Sequence, residues 1–398
     1  MARGEHRGRW WLVLLAGLAA LAVAAACGGG EESADPSTTS DAAPAETAAA
    51  PSTAPTSAPA GEPVKIAFIY AGDPASGTWD QAIDEGRLAM EQALGDLVET
   101  TAKFSVPQGP QAAQVIDSLV QDGNQLIIAT SFGYNDQMLE AAKKHPDVKF
   151  IQSQQAELLD NLGSYDLALE DAYYLGGMLL AAATEDGKLG FVGSFPIPTI
   201  VANVNAVALG AQQIYPDATV TVVWTNSWYD PIKEKQAAEG LVAGGAGAVA
   251  DDVGDPAVGQ ALQATKTPWF SYSVDQSSFA PDSWFSGALI NYEPYFSAQA
   301  QALADGSWSA TTEVLDMTNG GVYLGELGQS VESRVSADAI AQMREKEAAL
   351  EDGSFEVFTG PIVDQEGNER IATGAQIDPA DRAGMNWFVQ GVIGEASA

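Results

Sequence analysis

The chain has 398 residues and is strongly acidic, with 53 Asp and Glu against 18 Lys and Arg and a formal net charge of −35. That balance argues against nucleic acid as a partner, because phosphate neutralisation needs Lys and Arg, and against a basic grip on anionic lipid. A single cysteine excludes an internal disulfide, and two histidines leave too few ligands for a zinc centre built from His and Cys.

In chain order, Arg3, Arg7 and Arg9 precede an uncharged apolar run from Trp10 to Ala26, which ends on Cys27. A basic start, an apolar core and small residues before the break read as an export signal over 1–26. Ala24-Ala25-Ala26-Cys27 resembles a bacterial lipobox, in which the Cys27 thiol carries a lipid and the residue becomes the new amino terminus. The alternative is an uncleaved membrane anchor, since the run lies at the short edge of a spanning helix. Both readings place the remainder outside the cytoplasm, with a net charge of −37 once the signal's two surplus positive charges are removed. Residues 27–62 are mostly Ala, Pro, Ser, Thr, Gly and acid without an aromatic ring, a composition expected of a flexible tether.

The pattern changes at Pro63. Strand 64–70, helix 79–94, strand 99–106, helix 111–121, strand 125–130, helix 135–144 and strand 148–152 alternate. After an apolar helix over 170–183 the alternation restarts: strand 188–193, helix 199–215, strand 219–225, helix 231–243, strand 246–250, helix 256–265 and strand 268–273. Alternation of this kind calls for parallel sheets covered on both faces, hence an α/β fold of two doubly wound lobes in series. Residues 287–330 cross back between the lobes, 336–352 read as an exposed helix, and 355–359 with 369–372 flank a hairpin turn over 364–368. The expected lobes are 63–185 with 290–312, and 186–289 with 313–398.

In open parallel sheets, ligands bind beyond the carboxyl ends of the strands. Those ends lead to Trp79, to Phe132 and Tyr134, to Phe195, to Trp228 and to Asp275. Loops ordinarily favour Gly, Pro, Asn, Asp and Ser, so rings at four of five loops point to a flat apolar ligand clamped between lobes and stacked on aromatic faces. Asp275 would accept from a ring N–H or an exocyclic amine. The bland alternative is that individual rings pack the base of their own lobe. His145, in Lys143-Lys144-His145-Pro146, reads as a solvated helix end. The loop after the first strand lacks the glycine spacing of a dinucleotide site. Asp251, Asp252 and Asp255 read as a solvated acidic loop rather than a hard-metal site, and no cofactor, metal or catalytic group is expected.

Several segments together carry a resemblance. Ser131-Phe132-Gly133-Tyr134, Gly187-Lys188-Leu189-Gly190-Phe191-Val192-Gly193-Ser194-Phe195-Pro196-Ile197-Pro198, Asn226-Ser227-Trp228-Tyr229-Asp230-Pro231 and Ser273-Val274-Asp275-Gln276-Ser277-Ser278 resemble the basic membrane protein (BMP) family of ABC-transporter substrate-binding lipoproteins. The tail around Phe358-Thr359-Gly360-Pro361-Ile362 is similar to a purine-binding branch. The resemblance implies a type I periplasmic-binding-protein fold whose lobes close about a hinge on a purine base or nucleoside. It implies a monomer that hands its ligand to a membrane permease. By position it makes Trp79 the first stacking ring, Asp275 the base-binding aspartate, Asn205 a pocket amide and Trp228 a further ring; Asn291 is counted in the same set. Nucleoside-binding members carry an aspartate directly after the first strand, where this chain has Ala71, so an adenine-like free base is favoured over a nucleoside. Other readings are a receptor for a flavin or a sugar, or an extracytoplasmic nucleoside hydrolase.

Overall fold

The computed structural model describes residues 62–75, 78–155 and 157–396. The export signal, Cys27 and all but the last residue of the tether lie outside the described residues. In chain order the elements are β1 (Val64–Ile69), α1 (Thr78–Leu94), β2 (Val98–Lys103), α2 (Pro110–Gln121), β3 (Leu126–Ala129), α3 (Asn135–Lys144), β4 (Lys149–Ser153), β5 (Leu162–Leu167), α4 (Glu170–Ala182), β6 (Lys188–Gly193), α5 (Pro198–Ile214), β7 (Thr219–Trp224), α6 (Pro231–Ala243), β8 (Ala248–Asp252), α7 (Ala257–Gln263) and β9 (Trp269–Ser273). They continue with β10 (Trp284–Ile290), α8 (Glu293–Asp305), β11 (Thr312–Leu315), β12 (Val322–Leu324), α9 (Val331–Arg334), α10 (Ala337–Glu351), β13 (Ile362–Val363), β14 (Glu369–Ile371), α11 (Pro379–Ala383) and β15 (Val392–Ile393).

Two sheets result. The first runs β11-β5-β4-β3-β1-β2 and the second β12-β10-β9-β8-β6-β7-β15. All pairings in the first sheet are parallel, and in the second only β12 runs antiparallel, against β10. The central strands are uninterrupted apolar runs because helices cover both faces: Leu126, Ile127, Ile128 and Ala129 of β3 are all buried. Helix starts follow local chemistry. Pro198 and Pro231 sit in the first turns of α5 and α6, where a missing N–H costs nothing, and the Asp230 side chain accepts from the Lys233 backbone to cap α6.

The chain passes between the lobes three times: from β5 to α4, from β10 to α8, and from β11 to β12. This corrects the expected lobe boundaries. Helix α4 packs on α5, α10 and β10 of the second lobe, not on the first. Its approach to α5 is so close that a side chain on Gly177 would meet the Val207 carbonyl oxygen at 2.2 Å, and one on Gly210 the Tyr174 carbonyl oxygen at 1.9 Å. Helix α8 packs on α1 and β1, and β11 joins the edge of the first sheet, so residues 313–315 belong with the first lobe. Strand β5 has no counterpart in the sequence reading, because Leu162-Gly163-Ser164-Tyr165-Asp166-Leu167 lacks a long apolar run. Strand β8 begins two residues later than expected and carries Asp251 and Asp252 at its end. The hairpin turn over 364–368 is present, but its first strand is Ile362–Val363. Within the turn the Asp364 carboxylate accepts from the backbone of Glu366 and Asn368 and pairs with Arg370.

Both lobes have their first two strands on one side and the rest on the other, β2-β1-β3-β4-β5 and β7-β6-β8-β9-β10. Strand order reverses beside β1 and beside β6, which opens a crevice at the carboxyl end of each sheet. The two crevices face one another.

Candidate functional site

A cavity of about 360 Å³ lies between these two sets of loops. Its walls come from the ends of β1, β2, β3, β4 and β5 on one side and of β6, β7, β8 and β9 on the other. The size is at the small end of the range for ligand pockets, about 300–1,000 Å³, so it suits a compact ligand.

The first lobe contributes the opening turn of α1. Trp79 is half-buried, and its Nε1 donates to the Thr130 carbonyl oxygen at 2.9 Å, which fixes the plane of the indole. That ring lies parallel to Tyr272 of β9, with centroids 6.1 Å apart and planes at 6°, and edge-on to Tyr292 at 6.2 Å. The Trp79–Tyr272 pair therefore joins the two lobes. Asp80, next in the same turn, lines the cavity and is buried. Its carboxyl accepts from the backbone N–H groups of Ala71 and Gly72, while Oδ1 has no partner. Burial raises its pKa to about 6 against the weaker opposing effect of those two N–H groups. Gly72 is required there, since a Cβ would stand 2.5 Å from Asp80 Oδ2. Phe132 lies on a single 3-10 turn after β3, 46 % exposed, at the cavity wall.

The second lobe contributes Trp228 and Tyr229 from the loop before α6, Thr199 from the first turn of α5, and Asp252 from the end of β8. Side chains alternate along a strand, so the two acids of β8 diverge. Asp251 turns toward Trp269, whose indole N–H donates to it. Asp252 turns to the cavity, and its Oδ2 accepts from Asn203 Nδ2 at 2.8 Å. Burial raises the Asp252 pKa to about 7, with the Asn203 hydrogen bond opposing. Neither belongs to a solvated loop, and the described residues contain no cluster of three or more His, Cys, Asp or Glu able to hold a metal.

Direct contacts close the sides of the cleft. Gln154 Nε2 donates to Thr199 Oγ1 at 2.9 Å, the Thr78 N–H donates to the Gly254 carbonyl oxygen at 3.1 Å, and Ser273 Oγ donates to the Thr78 carbonyl oxygen at 3.1 Å. The backbone is strained at the same places. Ser105, Gln154, Asn226 and Ser273 have left-handed φ of 53°, 57°, 51° and 74°, and each lies at or just beyond the end of a strand facing the cleft. Non-glycine residues hold such conformations where the surroundings over-determine them, which is common at ligand clamps.

Of the side chains singled out in the sequence, Trp79, Phe132 and Trp228 line the cavity. Phe195 does not; its ring packs on Trp228 with centroids 4.7 Å apart and supports that ring from behind. Tyr134 belongs to the core of the first lobe, fully buried, with its hydroxyl donating to the Val106 carbonyl oxygen at 2.5 Å. Asn205 is a structural amide: Nδ2 donates to the Trp387 carbonyl oxygen at 3.0 Å, and Oδ1 accepts from the Val389 N–H at 2.9 Å. Asp275 is exposed and folds back to accept from the Ser277 N–H at 2.8 Å. Asn291, also exposed, accepts from the Glu293 N–H at 3.3 Å at the entry to α8. His145 closes α3, the expected helix end, but its ring is half-buried and paired to Asp117 at 2.9 Å instead of solvated. The sequence reading missed Asp80, Asp252, Gln154, Thr199 and Tyr272. Asp80 was legible in principle, since it stands with Trp79 in the first turn of α1, the turn that follows the strand-end loop. Asp252 was hidden by the misplaced start of β8.

Two α/β lobes, three crossings and a small cavity between the strand ends define a binding protein that holds its ligand between lobes. Comparison with known proteins agrees. The sequence model described as ABC transporter substrate-binding protein PnrA-like (Bmp) matches residues 63–349. A purine-binding protein of Brucella abortus strain 2308 is 34 % identical over 83 % of this chain and 93 % of its own length. A Haloferax volcanii protein, provisionally described as an ABC transporter glucose-binding protein, is 28 % identical over 84 % of this chain and 82 % of its own. The solved structure of an ABC transporter solute-binding protein from Conexibacter woesei superposes with a TM-score of 0.61 at 23 % identity, over 74 % of this chain and 98 % of that one, and shows the shared fold. The chain belongs to the Bmp family of ABC transporter substrate-binding proteins. These are carriers rather than enzymes.

Proposed function

We propose that this protein is an extracytoplasmic receptor, anchored through a lipid on Cys27, that closes its two lobes on a free purine base and presents it to an importing ABC permease. The observation that carries the reading is the Trp79–Tyr272 pair, one ring from each lobe, set beside the hydrogen-bonding groups of Asp80, Gln154, Thr199 and Asp252. A planar heterocycle offers two faces for rings and an edge of donors and acceptors for such groups. The similarity to a purine-binding protein of Brucella abortus supports the same ligand class. Ala71 lines the cavity and offers no carboxylate for ribose hydroxyls, which favours a base over a nucleoside. No helix among the described residues is long and apolar enough to cross a membrane.

A sugar is the second reading, favoured by the description of the Haloferax volcanii relative. A thermal-shift panel of purine bases, nucleosides, flavins and monosaccharides on the purified protein separates the two, because a ligand raises the melting temperature by mass action. Adenine is expected to give the largest shift. A shift with glucose and none with any purine would reject the purine reading. Metabolic labelling with a fatty acid, compared between the wild type and Cys27→Ala, tests the anchor; equal labelling of both would reject it.

A further inference from the structure

The charged side chains that line the cavity are Asp73, Asp80 and Asp252, and no Lys, Arg or His is among the described residues of its wall. Asp80 stands on the first lobe and Asp252 on the second. Both are more than nine-tenths buried, and Asp80 Oδ1 has no partner. A helix start at a cleft would ordinarily favour an anion, because its free N–H groups point outward. Here the first turn of α1 carries its own carboxyl, Asp80, which sets negative charge at that helix start and also accepts from the Ala71 and Gly72 N–H groups of the loop after β1. The side chains that offer polar groups to a ligand are carboxyls, hydroxyls and an amide, and the two buried carboxyls sit where Coulomb interactions are less screened than in bulk water.

We propose that the cleft selects by charge and donor count: it takes a neutral or cationic aminopurine, with one N–H donor directed to Asp80 and another to Asp252, and rejects purines that carry a negative charge, whether on an oxidised ring or on a phosphate. This rests on the purine reading and narrows it to a ligand class. It also assigns the two lobes complementary halves of one recognition, so a ligand with donors on a single edge leaves one buried carboxyl unanswered. An unanswered buried polar group costs more than a missing contact.

Calorimetry of the wild-type protein near neutral pH with adenine, urate and adenosine monophosphate tests it, with Asp80→Asn and Asp252→Asn as variants. Adenine is expected to bind at least about tenfold more tightly than urate or the monophosphate, since each anion meets buried carboxyls at short range. Each variant is expected to narrow that ratio, by weakening adenine and easing the repulsion. Urate or the monophosphate binding as tightly as adenine would overturn the charge rule and leave the purine reading standing. Failure of adenine to bind would overturn this inference, and failure of every purine base of the thermal-shift panel as well would overturn the purine reading with it. A wild-type preference left unchanged in both variants, with circular dichroism showing both folded, would show that Asp80 and Asp252 are not its source.

Discussion

The ends of β8 and β9, neighbouring parallel strands of the second sheet, each lead to an aspartate, yet the two side chains do different things. Asp252 is the last residue of its strand; it is still in the pleat, so alternation turns it into the cavity, and Asn203 of α5 holds it there. Asp275 lies two residues past the end of β9, whose last residue, Ser273, has a left-handed φ of 74°. Its chain is turning, and the carboxylate closes that turn on the Ser277 N–H. A carboxylate that satisfies itself locally in water has little left for a ligand. A buried one with a single fixed partner has a strong remaining demand.

That contrast can be broken directly. Asp252→Ala is expected to weaken adenine binding the most, by about 10- to 100-fold, the range for a hydrogen bond to a charged group. Asp275→Ala is expected to stay within about twofold, as for surface changes away from a site. Calorimetry on both variants decides it, and a reversal of the two would move the site to the end of β9. Trp79→Ala comes next, at about tenfold, from lost stacking and area, and Trp79→Phe should recover part of it.

The acids sharpen the comparison through pH. Asp252 at about 7 and Asp80 at about 6 lie above the ordinary value of 3.8. Between the unfolded value and the folded one the native state holds a proton that the unfolded chain has released, so stability falls as pH rises from about 4 to about 7. Melting temperature against pH should therefore slope less steeply across that window in Asp252→Asn than in the wild type. Smaller effects are expected away from the cleft. Asn205→Ala should cost about 1–3 kcal/mol in chemical denaturation, by stranding the backbone groups of Trp387 and Val389. Tyr134→Phe should cost about 1 kcal/mol through the lost bond to Val106. Both should leave adenine affinity unchanged.

Residues two apart show how far local pattern reaches. Phe132 and Tyr134 occupy one short turn after β3; the first lines the cavity and the second is sealed in the core. Trp228 and Phe195 stand on different loops, and only the first lines the cavity, with the second packed against it. Composition marked all four as unusual for loops. Which face each ring shows depends on how a loop lies over its sheet, and nearest neighbours in sequence do not encode that.

By itself the sequence determined the alternation of strands and helices and the two parallel sheets, because apolar periodicity and local turn chemistry act over a few residues and survive without knowledge of the rest; the family was legible separately, as a resemblance carried by motifs such as those at 131–134, 187–198 and 226–231. It also placed Trp79, Phe132 and Trp228 at strand ends facing a cleft. Only the tertiary structure decided that α4 belongs to the second lobe, that Asn205 fastens the C-terminal segment, and that the buried acids of the cleft are Asp80 and Asp252 in place of Asp275. Each of those outcomes turns on contacts between residues far apart in the chain, or on where a strand ends to within one or two positions, and in a pleated strand a single position turns a side chain from one face of the sheet to the other.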